Sequence, residues 1–484
     1  MMFNTWFSLI AQLSMMTVLA AVNPGMISRI TPNGFRFLND VGVQKIEEMV
    51  KQYPIPPQSG KSHGISYKLW NVEVVDFDIP ISELRAGPGP KLTISASNMY
   101  MKLSGNFEVK FFGSHSGDFD AFIKNISLLI SVFVAESDGR PSVDTSSSYC
   151  TFNVRDVYLD LHGHKFISRK LADRINDYLN ENGCSEIVDA VNTQLQQRLT
   201  KLTMVASIYE GMELDYSLLR TPTVTDHVFD ITHKGEVYAT GHHSEMPGPR
   251  PRFPVGSDQS RMFYVWISDY LINSAGYVLH NIGYLHYNVT QDDIPDGSEV
   301  SLNTSQFPMA MLFPQVRKLF PDMMTQFHIQ STKQPVVNTT AEKVTFTVNG
   351  EISAYVTNPK NTLTYLFTLG FEFSASVKVA IKRQNVTWVS YFESVSLELV
   401  DSAIGDVKID FLKSVLPSAI TKYVIPRVNA MGAIGKEIPS FEDYHSSNAF
   451  ICQGERFLKF GTDLRFYSPA EKVFEELFEL FISK

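Results

Sequence analysis

The sequence lacks three things: an excess of positive charge, the motifs of common enzyme classes and, after residue 21, a hydrophobic run long enough to cross a membrane. Its 42 Lys and Arg face 51 Asp and Glu. No helix is basic enough to predict nucleic-acid binding, so we expect no nucleic-acid partner. Since no later stretch reaches the roughly 18 apolar residues of a membrane-spanning helix, we expect the mature protein to be soluble.

Enzymatic signatures are incomplete wherever they begin. Residues 60–62 look like the end of a P-loop, but residue 55, where that motif needs Gly, is Ile. Residues 113–117 place His where a nucleophile elbow needs Ser. The histidines within 162–164 and 242–243 have no HExxH motif or Cys cluster beside them. We therefore expect no catalysis, no metal site and no cofactor.

What the chain does have is a globular, aromatic-rich composition. Hydrophobic residues make up 44% and charged residues 19%, and 34 Phe and 20 Tyr are typical of a β-rich protein. A length of 484 residues suggests about three domains, and two large ones are equally admissible.

The first 21 residues resemble a secretory leader. Residues 6–21 are apolar, too short for a comfortable membrane span, and end in Leu19-Ala20-Ala21. A cleaved signal peptide is the prediction, and an uncleaved anchor is the alternative because no Lys or Arg precedes the apolar run. We therefore expect a secreted, extracellular protein.

Five glycosylation sequons follow the leader. Each would place its Asn on a surface exposed in the secretory lumen. The acceptors are Asn125, Asn288, Asn303, Asn338 and Asn385.

Three cysteines remain to be paired in an oxidising compartment. Cys150 and Cys184 are closest in sequence and form the natural pair. Closing their loop would stabilise the fold by roughly 3–4 kcal/mol in the chain-entropy model. Cys452 is left over, either as a buried thiol or as an intermolecular bridge.

An amphipathic helix follows the leader within residues 23–53. Its apolar residues recur at steps of three and four, which predicts one stripe to bury. Asn33 stands where an N-cap would, and Pro54 ends the pattern. The stripe consists of Phe35, Leu38, Val41, Ile46, Met49, Val50 and Tyr53.

Alternating residues then predict long, twisted antiparallel strands at 65–83, 91–112, 119–136 and 149–161. A second long helix is predicted from Lys165 to Leu199, with an interruption near Asn182 and Gly183. A Cys150–Cys184 bridge would join this helix to the last strand.

The same plan is predicted to run twice. Residues 241–256 hold four Pro and form a stiff linker. A helix at 268–285, strands at 286–400 and a long helix at 407–434 follow it. The predicted domains are a signal peptide (1–21), an N-terminal barrel (22–240), the linker, a C-terminal barrel (257–468) and an amphipathic tail helix (469–484).

The order of these features resembles the lipid transfer/lipopolysaccharide-binding family, which includes bactericidal/permeability-increasing, lipopolysaccharide-binding, phospholipid transfer and cholesteryl ester transfer proteins. The resemblance covers the whole mature chain. It is carried by the spacing of the first two cysteines, the Pro-rich centre, VNPGMISRITPNG (22–34), MKLSGNFEV (101–109), RMFYVWISDYLINSAGYV (261–278), FPQVRKLFPDM (313–323), VIPRVNAMGAIGKEIP (424–439) and RFLKFGTDLRFY (456–467).

The resemblance implies an α+β boomerang of two pseudo-symmetric barrels. Each barrel is a twisted antiparallel sheet wrapped on two helices, with an apolar pocket for acyl chains, and a central antiparallel sheet joins them. Alternatively, the apolar stripes of the two helices pack directly against each other and close the core, so that no pocket is left. In a pocket, the candidate lipid-binding residues are Phe35, Leu38, Ile46, Met49, Ile175, Leu179, Val188, Val191 and Leu195.

The resemblance also implies a function and partners. We expect a secreted, monomeric protein of innate immunity that sequesters lipopolysaccharide or other phospholipid-like amphiphiles, with bound phospholipid as ligand and peripheral contact with membranes or lipoprotein surfaces. The alternative is an extracellular phospholipid or neutral-lipid transfer protein without antibacterial action. Charge favours this alternative, because residues 1–250 carry 22 Lys and Arg against 27 Asp and Glu.

The predicted tail helix (469–484) resembles a helix that closes the pocket as a lid. The alternatives are a helix docked elsewhere on the surface and a tail that binds a partner.

Overall fold

The structure is a computed structural model. It describes residues 22–466 except 63–64, 111–112, 163–164, 226, 295–299, 359, 361, 383 and 439–443. The predicted signal peptide and tail helix lie outside the described residues. Within the described ranges, no helix is both long enough and apolar enough to span a membrane.

The N-terminal half begins with a short strand and a long helix, continues as a series of strands, and ends with a second long helix and short strands. Its elements are β1 (Met26–Ile30), α1 (Pro32–Lys51), β2 (Gln58–Ser62), β3 (Ile65–Asp78), β4 (Ile81–Gly87), β5 (Lys91–Lys110), β6 (Ser114–Ser137), β7 (Arg140–Asp144), a 3₁₀ turn (Ser147–Tyr149), β8 (Cys150–Asp160), α2 (Lys165–Asp189), a π-helical segment (Ala190–Leu195), α3 (Gln196–Thr200), β9 (Val205–Tyr209), β10 (Met212–Asp215), β11 (Thr223–Thr225), β12 (Val228–His233) and β13 (Glu236–Ala239).

The C-terminal half repeats this order. Its elements are β14 (Phe263–Ser268), α4 (Asp269–Asn281), β15 (His286–Val289), a 3₁₀ turn (Gln291–Asp293), α5 (Met309–Leu312), α6 (Pro314–Leu319), β16 (Met324–Ser331), β17 (Val336–Thr339), β18 (Val344–Thr357), β19 (Leu363–Lys382), β20 (Asn385–Ser402), α7 (Ile409–Ala419), a second π-helical segment (Ile420–Val424), α8 (Ile425–Ile434), β21 (Lys436–Glu437), β22 (Tyr444–Gly454) and β23 (Phe457–Phe466).

The strands form four antiparallel sheets. One sheet belongs to the N-terminal half (β2-β3-β5-β6-β7, with β4 on β5 and β8 on β6), and one belongs to the C-terminal half (β15-β16-β18-β19-β20-β21, with β17 on β18). A central sheet, β11-β12-β1-β14-β23-β22, takes strands from both halves, and β13-β10-β9 form a small fourth sheet. Two curled sheets joined by a central one confirm the predicted boomerang.

The alternation predicted from sequence is visible in the cores. Along β6, Phe119, Ala121 and Ile123 are buried on one face, as a strand with one dry side requires. Phe119 and Ala121 pack with Leu171 of α2. In the other half, Phe367 of β19 packs with Leu412 of α7 and with the short helices α5 and α6, which the sequence reading missed.

Two buried side-chain hydroxyl groups, one from each half, form hydrogen bonds to the backbone of the other half. The Thr31 side chain accepts a hydrogen bond from Gly34 N at the start of α1 and donates one to Arg261 O, 2.8 Å away, just before β14. The Ser268 side chain accepts from Leu271 N at the start of α4 and donates to Gly25 O, 2.7 Å away, just before β1. Both residues are 0% exposed. Each first helix is therefore capped by a residue that also binds the other half.

The predicted N-cap of α1 was wrong by two residues. Thr31, in extended conformation, caps the helix, and Asn33 lies inside it. The reason is Pro32, because its missing N–H and fixed φ suit the first helical position and place the cap immediately before it.

The predicted interruption of the second helix was also wrong. α2 continues through Asn182 and Gly183, and the helix changes to π geometry only at Ala190–Leu195. A Cβ at Gly183 would lie 2.2 Å from the Phe152 ring, so this glycine allows close approach to β8. The helix predicted at 407–434 contains a π segment too.

His233 is a buried histidine at the centre of the molecule. Its Nδ1 lies 2.8 Å from Tyr216 O, and its Nε2 lies 3.0 Å from Ser28 Oγ. Because a carbonyl can only accept, Nδ1 carries the proton and Nε2 accepts from the serine. Burial lowers the pKa of His233 from 6.5, and the bond to the Tyr216 carbonyl opposes that shift.

We predict that Ser268→Ala lowers the free energy of unfolding by about 1–3 kcal/mol, because it removes a helix cap and a buried hydrogen bond to Gly25. Chemical denaturation measures this loss. Ser414→Ala is the control, since the Ser414 hydroxyl is exposed and donates to Phe411 O one turn back in its own helix. Equal stability of the two variants would contradict the structural role of the Ser268 hydroxyl.

We predict that acid destabilises the protein through His233. Below the unfolded-state pKa of about 6.5 the unfolded chain binds the proton first, so stability falls by up to about 1.4 kcal/mol per pH unit until the pH reaches the lowered folded-state pKa. Urea denaturation of the wild type and of His233→Gln, at about pH 7.5 and about pH 5.5, measures the difference. Parallel pH profiles of the two proteins would sink the prediction.

Candidate functional site

The first long helix is attached by its polar side. Asn39 Nδ2 donates to Ser82 Oγ at 2.9 Å, and Glu47 Oε1 accepts from Ile79 N at 2.8 Å. Lys51 forms an exposed ion pair of 3.3 Å with Asp76. These contacts hold α1 against β3 and β4 without using most of its apolar stripe.

The apolar stripe of α1 is fully buried only at Phe35, where the helix begins; further along, Val41 and Val50 are half-buried. Phe35 is buried against Phe229 in the core. Leu38 is half-buried. Ile46 and Met49 are 48% and 56% exposed, far more than is usual for the core-facing side of an amphipathic helix. The far end of α1 therefore offers an apolar surface.

The predicted lipid-contact residues of the second helix have different environments. Ile175 and Leu179 pack partly against core clusters of the N-terminal sheet. Val188 and Val191 are half-buried, and Leu195 is exposed. Lipid contact at the candidate residues therefore stays a prediction. Ile46, Met49 and Leu195 are the most accessible of them.

Side-chain amides tie the second helix to the rim of its sheet. Asn180 donates from Nδ2 to Val154 O at 2.9 Å and accepts at Oδ1 from Val154 N at 2.8 Å. Asn192 makes the same pair of bonds with Thr145, at 2.8 and 3.0 Å. Each amide therefore binds the backbone as a neighbouring strand would.

The C-terminal half repeats this device. Asn429 of α8 accepts from Ser390 N at 2.7 Å and donates to Ser390 O at 3.0 Å. Gly432 allows the close approach, since a Cβ there would lie 2.3 Å from Trp388 O. Beyond these contacts Met431 and Ile434 are 66% and 75% exposed. None of the lipid-contact residues predicted from sequence lies in this half. The 3.6-residue pattern of the predicted 407–434 helix could have indicated Met431 and Ile434.

The predicted disulfide is confirmed. Cys150 and Cys184 are bonded, with their Cα atoms 5.7 Å apart, and they join the start of β8 to α2. Cys452 is exposed on β22, so the buried-thiol alternative is wrong. The intermolecular bridge stays a prediction.

The five predicted glycosylation sites differ in accessibility. Asn125, Asn288 and Asn338 are exposed. Asn303 is half-buried and accepts a hydrogen bond from Ser305 N at 2.8 Å. Asn385 is half-buried, and its Nδ2 donates to Ile434 O at 3.0 Å. Modification of all five stays a prediction, and the exposed three are the better acceptors.

Basic residues around the N-terminal sheet have acidic neighbours. Lys102 lies 3.6 Å from Asp120, and Lys110 lies 3.5 Å from Glu108. The Arg85 guanidinium is 3.9 Å from its neighbour Glu83. Such pairing weakens any field that would attract an anionic lipid from a distance.

We predict that Asn180→Ala lowers the free energy of unfolding by about 2 kcal/mol, because it leaves two buried backbone groups of Val154 without partners. Asn182→Ala is the matched control, since Asn182 Nδ2 donates to Tyr178 O within the same helix. Urea denaturation compares the two. The prediction fails if Asn180→Ala is as stable as Asn182→Ala.

Known proteins share this architecture. The family model of the LBP / BPI / CETP N-terminal domain matches residues 34–203, and that of the C-terminal domain matches residues 206–466. A bactericidal permeability-increasing protein of Sebastes schlegelii is 29% identical, over 95% of this chain and 98% of that protein. Human lipopolysaccharide-binding protein is 25% identical, over 92% of this chain and 94% of that protein.

A solved structure agrees in fold. A crystal structure of lipopolysaccharide binding protein aligns with a TM-score of 0.55 at 24% identity, over 92% of this chain and 100% of that chain. The two domain matches together span most of the sequence and meet near residue 204. The chain therefore belongs to the LBP / BPI / CETP family.

Proposed function

We propose that this protein is a secreted, non-enzymatic lipid carrier of innate immunity that binds lipopolysaccharide or other phospholipid-like amphiphiles along the apolar faces of its long helices. The observation that carries the proposal is the exposure of Ile46 and Met49 in one half and of Met431 and Ile434 in the other. Apolar residues of the long helices are left uncovered in both halves.

In the proposed complex, an acyl chain of the lipid covers these exposed apolar side chains. Each buried methylene contributes about 0.8 kcal/mol, so two chains of about sixteen carbons contribute roughly 25 kcal/mol of transfer from water. Flexible Met side chains at 49 and 431 adapt to a guest of variable shape. The polar attachment of the helices lets a chain lie against the stripe without dismantling the fold.

The relatives support the choice of ligand class. Two of them bear names that state lipopolysaccharide binding or bactericidal action, and their similarity extends over nearly the whole chain. We further propose that the protein acts as a monomer and touches membranes or lipoprotein surfaces only peripherally.

A second function has one observation in its favour. The chain carries a net charge of −9, and Lys102, Lys110 and Arg85 lie beside carboxylates. An extracellular phospholipid or neutral-lipid transfer protein without antibacterial action needs apolar surfaces but no basic tip.

We predict that Met49→Glu and Met431→Glu each weaken binding of a fluorescent acyl-chain phospholipid by about tenfold or more, because each carboxylate must be desolvated against a methylene chain. Fluorescence titration of the secreted protein measures the affinity. Met311→Glu is the control, because Met311 is similarly exposed but lies on the short helix α5.

The ligand itself is identified by extraction. Mass spectrometry of lipids from the secreted protein is expected to find phospholipid or lipid A, and competition by lipid A distinguishes the first function from neutral-lipid transfer. Absence of any bound lipid, together with unchanged affinity in both glutamate variants, would overturn lipid carriage.

A further inference from the structure

A polar groove of about 530 Å³ lies where α2 meets β8. We call it the edge groove, because it follows the outer strand of the N-terminal sheet. It is lined by Phe122, Lys124, Arg155, Asp156, Val157, Tyr158, Ala172, Asp173 and Asn176. None of these residues has been given a role above.

The chemistry of the edge groove suits a neutral ligand rich in hydroxyl groups. Lys124 and Arg155 are balanced by Asp156 and Asp173, so an anion would meet as much repulsion as attraction. The Phe122 ring has the ammonium groups of Lys102 and Lys124 over it, at 5.3 and 5.9 Å. The exposed Tyr158 ring, 5.9 Å from the Phe122 ring, offers an apolar platform beside these polar groups. Aromatic faces beside donors and acceptors of both kinds fit a carbohydrate.

A glycosylation acceptor stands at the rim of the groove. The register between β5 and β6 shifts around Asn125, which adopts a φ of 54°. Its Nδ2 donates to Asp156 Oδ2 at 2.6 Å. Since Nδ2 is the atom that carries an N-linked glycan, the first sugar of a glycan would begin beside a lining residue of the groove.

Attachment of the glycan is compatible with this contact. Transfer forms a bond from Nδ2 to C1 of the first sugar and breaks the bond from C1 to the diphosphate of a lipid-linked donor. One of the two Nδ2 hydrogens leaves as a proton. The remaining N–H still donates to Asp156.

We propose that the N-linked glycan on Asn125 lies in the edge groove and stacks its inner sugars on Tyr158. Sugar contacts are weak individually, but a short covalent tether raises the effective concentration of the glycan to the order of millimolar or above. Occupancy therefore needs no high affinity. The docked glycan fastens α2 to the outer strand β8, the same two elements that the disulfide of Cys150 and Cys184 joins.

The test compares enzymatic release of glycans from the native secreted protein, site by site, by glycopeptide mass spectrometry. We expect an amidase that removes whole N-linked glycans from Asn to release the Asn125 glycan about tenfold more slowly than the glycans on exposed Asn288 and Asn338. This ratio of rates corresponds to a free energy of about 1.4 kcal/mol for docking of the glycan in the groove. After denaturation the three rates become equal.

Variants then isolate the groove. Tyr158→Ala is expected to raise the native release rate at Asn125 to that of the other sites. Tyr178→Ala, an exposed tyrosine of α2 two residues beyond Asn176 and hence on another face, leaves the rate unchanged. Ser127→Ala removes the sequon and Ser127→Thr keeps it, so thermal denaturation of this pair reports any stability that the glycan adds.

Three outcomes would overturn the proposal: an unmodified Asn125 in the secreted protein, native release as fast as at Asn288, or slow release that survives Tyr158→Ala. Lipid binding is unaffected by any of them. The groove and the apolar helix faces are therefore tested separately.

Discussion

The relative position of the two halves depends on two hydroxyl groups. Thr31 directly follows β1, and Ser268 is the last residue of β14. Each caps the helix that comes next and bonds to backbone that leads into the other of these two strands. Because β1 and β14 are antiparallel neighbours, the end of one strand lies beside the start of the other, and the two contacts are related by approximate twofold symmetry. Around them Trp266 lies between Arg29 and Lys459, at 5.2 and 5.5 Å. The halves therefore meet at a buried centre in which both capping hydroxyls are hydrogen-bonded.

With the centre fixed, the long helices need little further attachment. Asn180, Asn192 and Asn429 bind strand backbones with directional amide contacts, and a disulfide adds a covalent one in the first half. Hydrogen bonds of this kind hold a helix at a set distance without burying its apolar side. Apolar contacts of Leu171, Ile175 and Leu179 with the N-terminal sheet attach the second helix as well. The amide contacts therefore add direction to a packing that covers only part of each helix, and the exposed apolar residues lie outside it.

Much of the fold could be predicted from periodicity, and the errors have local causes. The two-residue alternation around 119–136 and the 3.6-residue pattern of 165–199 correspond to β6 and to the second long helix. Asn33 and Thr31 are both acceptable caps, and only the position of Pro32 separates them. Gly183 looked like a break because the sequence does not show the Phe152 ring against it. The pairing of Asn180 with Val154 joins residues on separate elements, and no local pattern marks it.

The periodicity of a sequence also does not show what covers the apolar stripe of a helix. The distribution of charged side chains gives information on this point. A carrier that captures anionic lipid from a distance needs a net positive field, which salt screens beyond about 8–10 Å. Here cations such as Lys102 lie within 4 Å of a carboxylate, so their fields cancel at short range. In the proposed carrier, selection among amphiphiles therefore acts after contact, through the fit of acyl chains against residues such as Met49 and Met431. The proposal thus favours discrimination by the number and length of acyl chains over discrimination by head-group charge.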